Sequence, residues 1–172
     1  MNIPFLKNPT AKFLVFIFLF YISWYFIYNW WIHPLETIDL AVIDFTVSIS
    51  KWILELLNYK VFVGSDRLFG IDGTGGLWVG DSCNAMALFA LFTGFIVAYK
   101  GNWKVKVIYI LSGIICIELL NVLRLVALAI METYSYTWTE FNHAYTFTII
   151  IYGFIFWLWI LWVNKFSKKG IK

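Results

Sequence analysis

The stretch GDSCNAMALFALFTGFIVAY, residues 80–99, decides how the chain is read: a polar loop, Gly80-Asp81-Ser82-Cys83-Asn84-Ala85, turns into an apolar run from Met86 to Tyr99. Closed by Lys100, that run reads as a membrane helix beginning at Cys83. A thiol at such a helix start lies beside unpaired backbone N–H groups and the positive end of the helix dipole, which favour the thiolate. Cys83 is therefore a candidate nucleophile. The plainer alternative is a small buried hydrophobe that happens to be cysteine.

Composition sets the context for that helix. Hydrophobic residues make up 62% of the 172 and charged residues 13%, too little polar surface to cover a water-soluble globule. The chain reads as an all-α integral membrane protein. Besides 83–99, three runs approach the roughly 20 residues a crossing helix needs: 13–32, 105–131 and 143–164. The first carries no charge and lacks the short core and small-residue cleavage site of a signal peptide, so it reads as an uncleaved anchor. Two distant cysteines without a CxxC pair form neither a disulfide framework nor a zinc site.

Lys7 and Lys12, then Lys100, Lys104 and Lys106, then Lys165, Lys168, Lys169 and Lys172 flank one set of helix ends. The opposite loops hold only Lys51, Lys60 and Arg67. The positive-inside rule then puts both termini in the cytoplasm. All acids except Glu118 fall in the outer loops, 33–82 and the short one before His143. Residues 38–57 carry Asp39, Asp44, Lys51 and Glu55 among apolar neighbours, which suits an amphipathic helix packed on the bundle or lying in the interface. A fifth crossing there is the rival reading. Val61-Phe62-Val63, Arg67 to Ile71 and Leu77-Trp78-Val79, set between Gly- and Asp-rich turns, read as short strands of a small β-hairpin-like cap. The expected architecture is a single membrane domain, 1–172, of four transmembrane helices, or five if 38–57 also crosses.

Depth can be counted from the cytoplasmic lysines at about 1.5 Å per residue. Cys83 is roughly 25 Å from Lys100, Arg124 roughly 30 Å from Lys104 and His143 roughly 33 Å from Lys165. Three chemically capable side chains on three helices thus share one layer near the outer edge of a core about 30 Å thick. Arg124 sits in an apolar run where an unpaired ionisable group is costly, and Asn121 and Glu118 precede it at three-residue intervals on one helix face. It either serves a polar site, snorkels to the interface, or pairs with Glu118. Asn142 is a plausible N-cap for a helix that His143 opens. His33 is a rival base at similar depth, although Pro34 follows it. Cys116, among isoleucines in mid-helix, reads as buried packing.

At these residues the sequence resembles the exosortase/archaeosortase family of membrane protein-sorting enzymes. That pattern is a Cys followed by Ser or Asn and Gly at a helix start, then Asn-x-x-Arg, then a His opening a later helix. Here it reads Cys83-Asn84-Ala85, Asn121-Val122-Leu123-Arg124 and His143, with Ala85 in place of the usual Gly and a chain of compact length. The resemblance implies a cysteine transpeptidase or protease of the plasma membrane, working at its external face. Its partners would be exported proteins that carry a C-terminal motif, a transmembrane helix and a basic tail. Cys83 would attack, His143 would move the proton, and Arg124 would stabilise thiolate or oxyanion. Asn121 and Asn84 would support them, Asn121 by orienting Arg124 or the substrate backbone. No metal or organic cofactor is called for and no nucleic acid is expected. Two other classes compete: a non-catalytic membrane adaptor with a structural Arg124–Glu118 pair, and a binder or transferase of lipid-linked phosphate that uses Arg124.

Overall fold

A computed structural model of the chain describes residues 8–64, 67–80 and 83–166. Asp81 and Ser82 of the loop, Ser65 and Asp66 of a turn, and Lys7, Lys168, Lys169 and Lys172 lie outside the described residues. The described chain is mostly helical. Helix α1, Pro9–Ile27, starts where Asn8 Oδ1 accepts the Thr10 N–H at 3.0 Å. It runs on through a wide π-type turn, Tyr28–Ile32, and a short helical piece, His33–Leu35, so that Thr10–Leu35 forms one apolar segment. This is longer than the 13–32 expected, because Pro34 falls in the first turn of the short piece, where it does not stop a helix. Glu36, at φ 51°, turns the chain into α2, Thr37–Leu56.

Beyond the strands come α3, Met86–Ala98; α4, Trp103–Glu132; and α5, the continuous helical segment Tyr136–Phe166. Among the described residues, three helices are long and apolar enough to cross a membrane: Thr10–Leu35, Trp103–Glu132 and Tyr136–Phe166. The fourth expected crossing, 83–99, is a helix of only 13 residues. It begins three residues late because Ala85 is left-handed, at φ 52° and ψ 1°, and cannot join an α-helix. Asn84 Oδ1 instead accepts the Met86 N–H at 3.1 Å and caps α3 from outside.

The last helix differs from the expected 143–164 in the opposite sense. It starts at Tyr136, after an extended Ser135, and reaches His143 through a second wide π-type turn, Asn142–Thr146. Asn142 is therefore no N-cap, and its Nδ2 donates to the Trp138 carbonyl one turn back at 2.7 Å. His143 stands two turns inside the helix rather than at its start.

The buried residues of α2 are Asp39, Ile43, Thr46, Ser50 and Leu54, recurring every three or four positions as one face must. That face runs alongside α4 in the same direction: Thr46 Oγ1 donates to Glu118 and, a turn on, Ser50 Oγ reaches the Val122 carbonyl at 3.4 Å. Between α2 and α3 the strands β1, Val61–Val63, β2, Leu68–Ile71, and β3, Leu77–Trp78, pair antiparallel in that order. Phe69, Ile71 and Val79 pack with Leu54 of α2 and with Val122, Leu125, Val126 and Ala129 of α4; Cys83 joins this core.

A second core, Phe92, Ile96, Ile117, Ile151, Ile155, Leu158 and Trp162, ties α3, α4 and α5 together. It needs Gly113, because a Cβ there would enter the ring of Phe92. On the outside, α1 exposes Leu14, Phe18, Leu19, Ile22 and Phe26, an apolar face suited to lipid. Cys116 shares that kind of environment. It is exposed on α4, not buried, because a helix that is apolar all round gives no sequence signal for its inward face.

Candidate active site

Cys83 sits in the turn between β3 and α3 and is 7% exposed. Its N–H donates to the Gly80 carbonyl at 2.8 Å, and its own carbonyl accepts Asn121 Nδ2 from α4 at 2.7 Å. Asn121 is thus bound to the backbone of the cysteine, which differs from the expected role of orienting Arg124 or a substrate. The backbone turn that begins at Cys83 is completed by left-handed Ala85, whose carbonyl takes the N–H groups of Leu88 and Phe89 at 2.9 and 3.0 Å. This explains why glycine suits the position after Asn84: only glycine adopts that conformation without steric cost.

Across from the thiol, the π-type turn adds one residue to the helix and so re-aims the side chains that follow. His143 Nε2 lies 3.6 Å from Cys83 Sγ, within hydrogen-bonding range for sulfur. Both side chains, with Arg124, line a cavity of about 260 Å³ walled by Gly76, Leu77, Trp78 and Val79 on one side and by Leu125, Leu128, Tyr136, Thr139 and Glu140 on the other. The structure thus brings together the three residues whose shared depth could be counted along the chain. Arg124 Nε is buried and has no hydrogen-bond partner among the described residues.

Glu118 makes its hydrogen bond elsewhere, although it still interacts electrostatically with Arg124. Its Oε1 accepts the Thr46 hydroxyl, and among the described residues no ion pair links it to Arg124. His33 is directed elsewhere as well: its Nδ1 lies 3.5 Å from Asp39 Oδ2. Asn84, expected as a supporting residue, binds the same carboxylate, with Nδ2 2.6 Å from Asp39 Oδ1.

Asp39 is the component that the sequence reading passed over. It is 1% exposed, although it looked like one more solvated acid on an amphipathic helix. One signal was available: Asp39 falls in phase with Ile43, Thr46, Ser50 and Leu54, on the stripe that faces the bundle.

A cysteine sulfur, an imidazole within hydrogen-bonding range of it and a guanidinium lining the same cavity are groups of the kind that acyl transfer through a covalent intermediate uses. A family model described as transmembrane exosortase matches residues 5–164. No curated protein and no solved structure matches the chain.

Proposed function

The chain belongs to the transmembrane exosortase family, and on that premise we propose that it is a membrane-embedded cysteine transpeptidase or protease that processes the C-terminal sorting signals of exported proteins. The observation that carries this reading is the 3.6 Å approach of Cys83 Sγ to His143 Nε2 in a cavity shared with Arg124.

In the first step Cys83 Sγ, having passed its proton to His143, attacks the scissile carbonyl carbon. The oxyanion that forms is stabilised by Arg124 in a site of low polarity, where a fixed cation is worth more than in water. Collapse breaks the C–N bond. His143 gives its proton to the leaving amine, and a thioester remains on Cys83. In the second step an acceptor, water or an amine or hydroxyl, gives a proton to His143 and attacks the thioester, and the thiolate departs. Asn121 holds the Cys83 carbonyl throughout, so the sulfur approaches His143 from a fixed backbone.

Lysine placement supports an orientation with both termini in the cytoplasm and the site toward the external face. The short α3 supports this depth. Thirteen residues cover about 20 Å, less than a core about 30 Å thick, which leaves Cys83 beneath the outer edge where a substrate helix would end. The adaptor reading relied on an Arg124–Glu118 pair; among the described residues the two make no salt bridge, and the hydrogen bond to Glu118 Oε1 comes from Thr46.

The test is co-expression with tagged candidate substrates while Cys83→Ala, His143→Ala and Arg124→Ala are introduced singly. Each is expected to abolish release of the C-terminal tail. Wild-type processing by Cys83→Ala would end the enzymatic reading.

A further inference from the structure

We infer that Asp39 is a positioning residue for Cys83 and acts through Asn84. The inference rests on the reading of Cys83 as the nucleophile and adds to it a component from α2, a helix that contributes nothing to the cavity wall.

Asp39 lies in the first turn of α2 and is almost completely buried. A carboxylate in that position has to be hydrogen-bonded. Its Oδ1 accepts Asn84 Nδ2 at 2.6 Å and the Tyr28 hydroxyl at 3.1 Å, and its Oδ2 stands 3.5 Å from His33 Nδ1. Tyr28 lies in the first wide turn of α1 and also accepts from Asn84 Nδ2 at 3.3 Å. Two segments therefore converge on one amide, the side chain directly after the cysteine.

That amide has a single workable orientation. Asn84 uses its nitrogen on Asp39 and its oxygen on the Met86 N–H, at 3.1 Å. Flipping it would set oxygen against carboxylate and NH₂ against N–H, two contacts between like groups. A carboxylate only accepts, so it enforces the orientation more strictly than an amide or hydroxyl, and the short 2.6 Å distance fits a charge-assisted bond.

The consequence reaches the sulfur through the backbone. Ala85 is held at φ 52°, a conformation L-residues avoid, and the Asn84 cap on Met86 spans that residue. Cys83 is then fixed on both sides: its carbonyl by Asn121 from α4, and its successor by Asp39 from α2. Release of the Asp39 hold leaves the turn free to relax and Sγ free to move away from His143.

The experiment reads thiol reactivity and needs no substrate. In the full-length protein carrying Cys116→Ser, Cys83 is the one remaining thiol, and its second-order rate of labelling by N-ethylmaleimide is measured alongside the thermal midpoint. Asp39→Ala and Asn84→Ala are each expected to slow labelling about tenfold, the worth of one charge-assisted hydrogen bond expressed as a rate. The double variant should be no slower than either single one.

Asn84→Asp should also slow labelling, because it sets two carboxylates face to face. Adding Asp39→Asn to it should restore most of the rate, since one donor and one acceptor again meet. A general loss of packing does not produce that recovery, and the exchanged pair stays close to the original shape if Asp39→Ala fails to fold. Parent-rate labelling in Asp39→Ala, effects of the two alanines that multiply, or failure of Asp39→Asn to relieve Asn84→Asp would each overturn the inference. Tail processing separates it from the function: normal processing by Cys83→Ala removes the enzymatic reading and leaves the reactivity result standing. Inactive Cys83→Ala beside fully reactive Asp39→Ala removes only the role of Asp39.

Discussion

Removal of the Asn121 side chain tests how far the site depends on its support. Asn121 is 2% exposed and spends its Nδ2 on the Cys83 carbonyl at 2.7 Å. Asn121→Ala takes that donor away from the backbone of a buried residue. An acceptor deprived of its donor in such surroundings costs about 1–3 kcal/mol, less if water follows into the space. If the whole effect falls on the geometry of Cys83, the rate of tail processing drops by between about fivefold and about 150-fold. Asn121→Asp should be worse, because it sets a carboxylate against the carbonyl it used to serve. The assay is a time course of tail cleavage on a co-reconstituted tagged substrate, read with the thermal midpoint in detergent. Processing and stability both at the parent level in Asn121→Ala would refute the reasoning, since the 2.7 Å contact would then hold nothing in place.

Other outcomes follow from single contacts. Ala85→Gly should stay within about 0.5 kcal/mol of the parent, because relief of left-handed strain offsets the lost burial of one methyl group; Ala85→Val should unfold at clearly lower temperature, as a branched side chain suffers most at positive φ. Gly113→Ala forces the Phe92 ring from its place between α3 and α4 and should destabilise by about 1–3 kcal/mol, seen as a lower midpoint in detergent. Lys106 Nζ donates to the Val97 carbonyl at 2.8 Å near the end of α3, so Lys106→Met should cost about 1–3 kcal/mol of stability and leave the substrate KM unchanged.

Cys83, Arg124 and His143 stood out as candidates because each is rare in its setting. An arginine in an apolar run, a cysteine at a loop–helix junction and a histidine beyond the last outer loop all stand out. Counting residues from lysines converts their positions into depth, since helical rise is uniform. Lateral convergence was not legible, because helices at equal depth can present any face to one another. The π-type turn at Asn142–Thr146 had no sequence mark: Glu140, Asn142 and His143 look like a polar loop, and the helix passes straight through them. Asp39 was hidden for a related reason. An acid on an amphipathic helix looks solvated until its phase is compared with Ile43, Thr46 and Ser50. Cys116 failed in the opposite direction, since lipid accepts what a soluble protein would bury.

The most direct measurement is the mass of the Cys83-containing peptide after brief exposure of the protein to a sorting-signal substrate and rapid quenching in acid, which preserves a thioester. The account predicts a substrate-derived acyl group on Cys83 that hydroxylamine removes and that Cys83→Ser does not form as a thioester. Unmodified Cys83 under conditions in which substrate tails are being cleaved would contradict it.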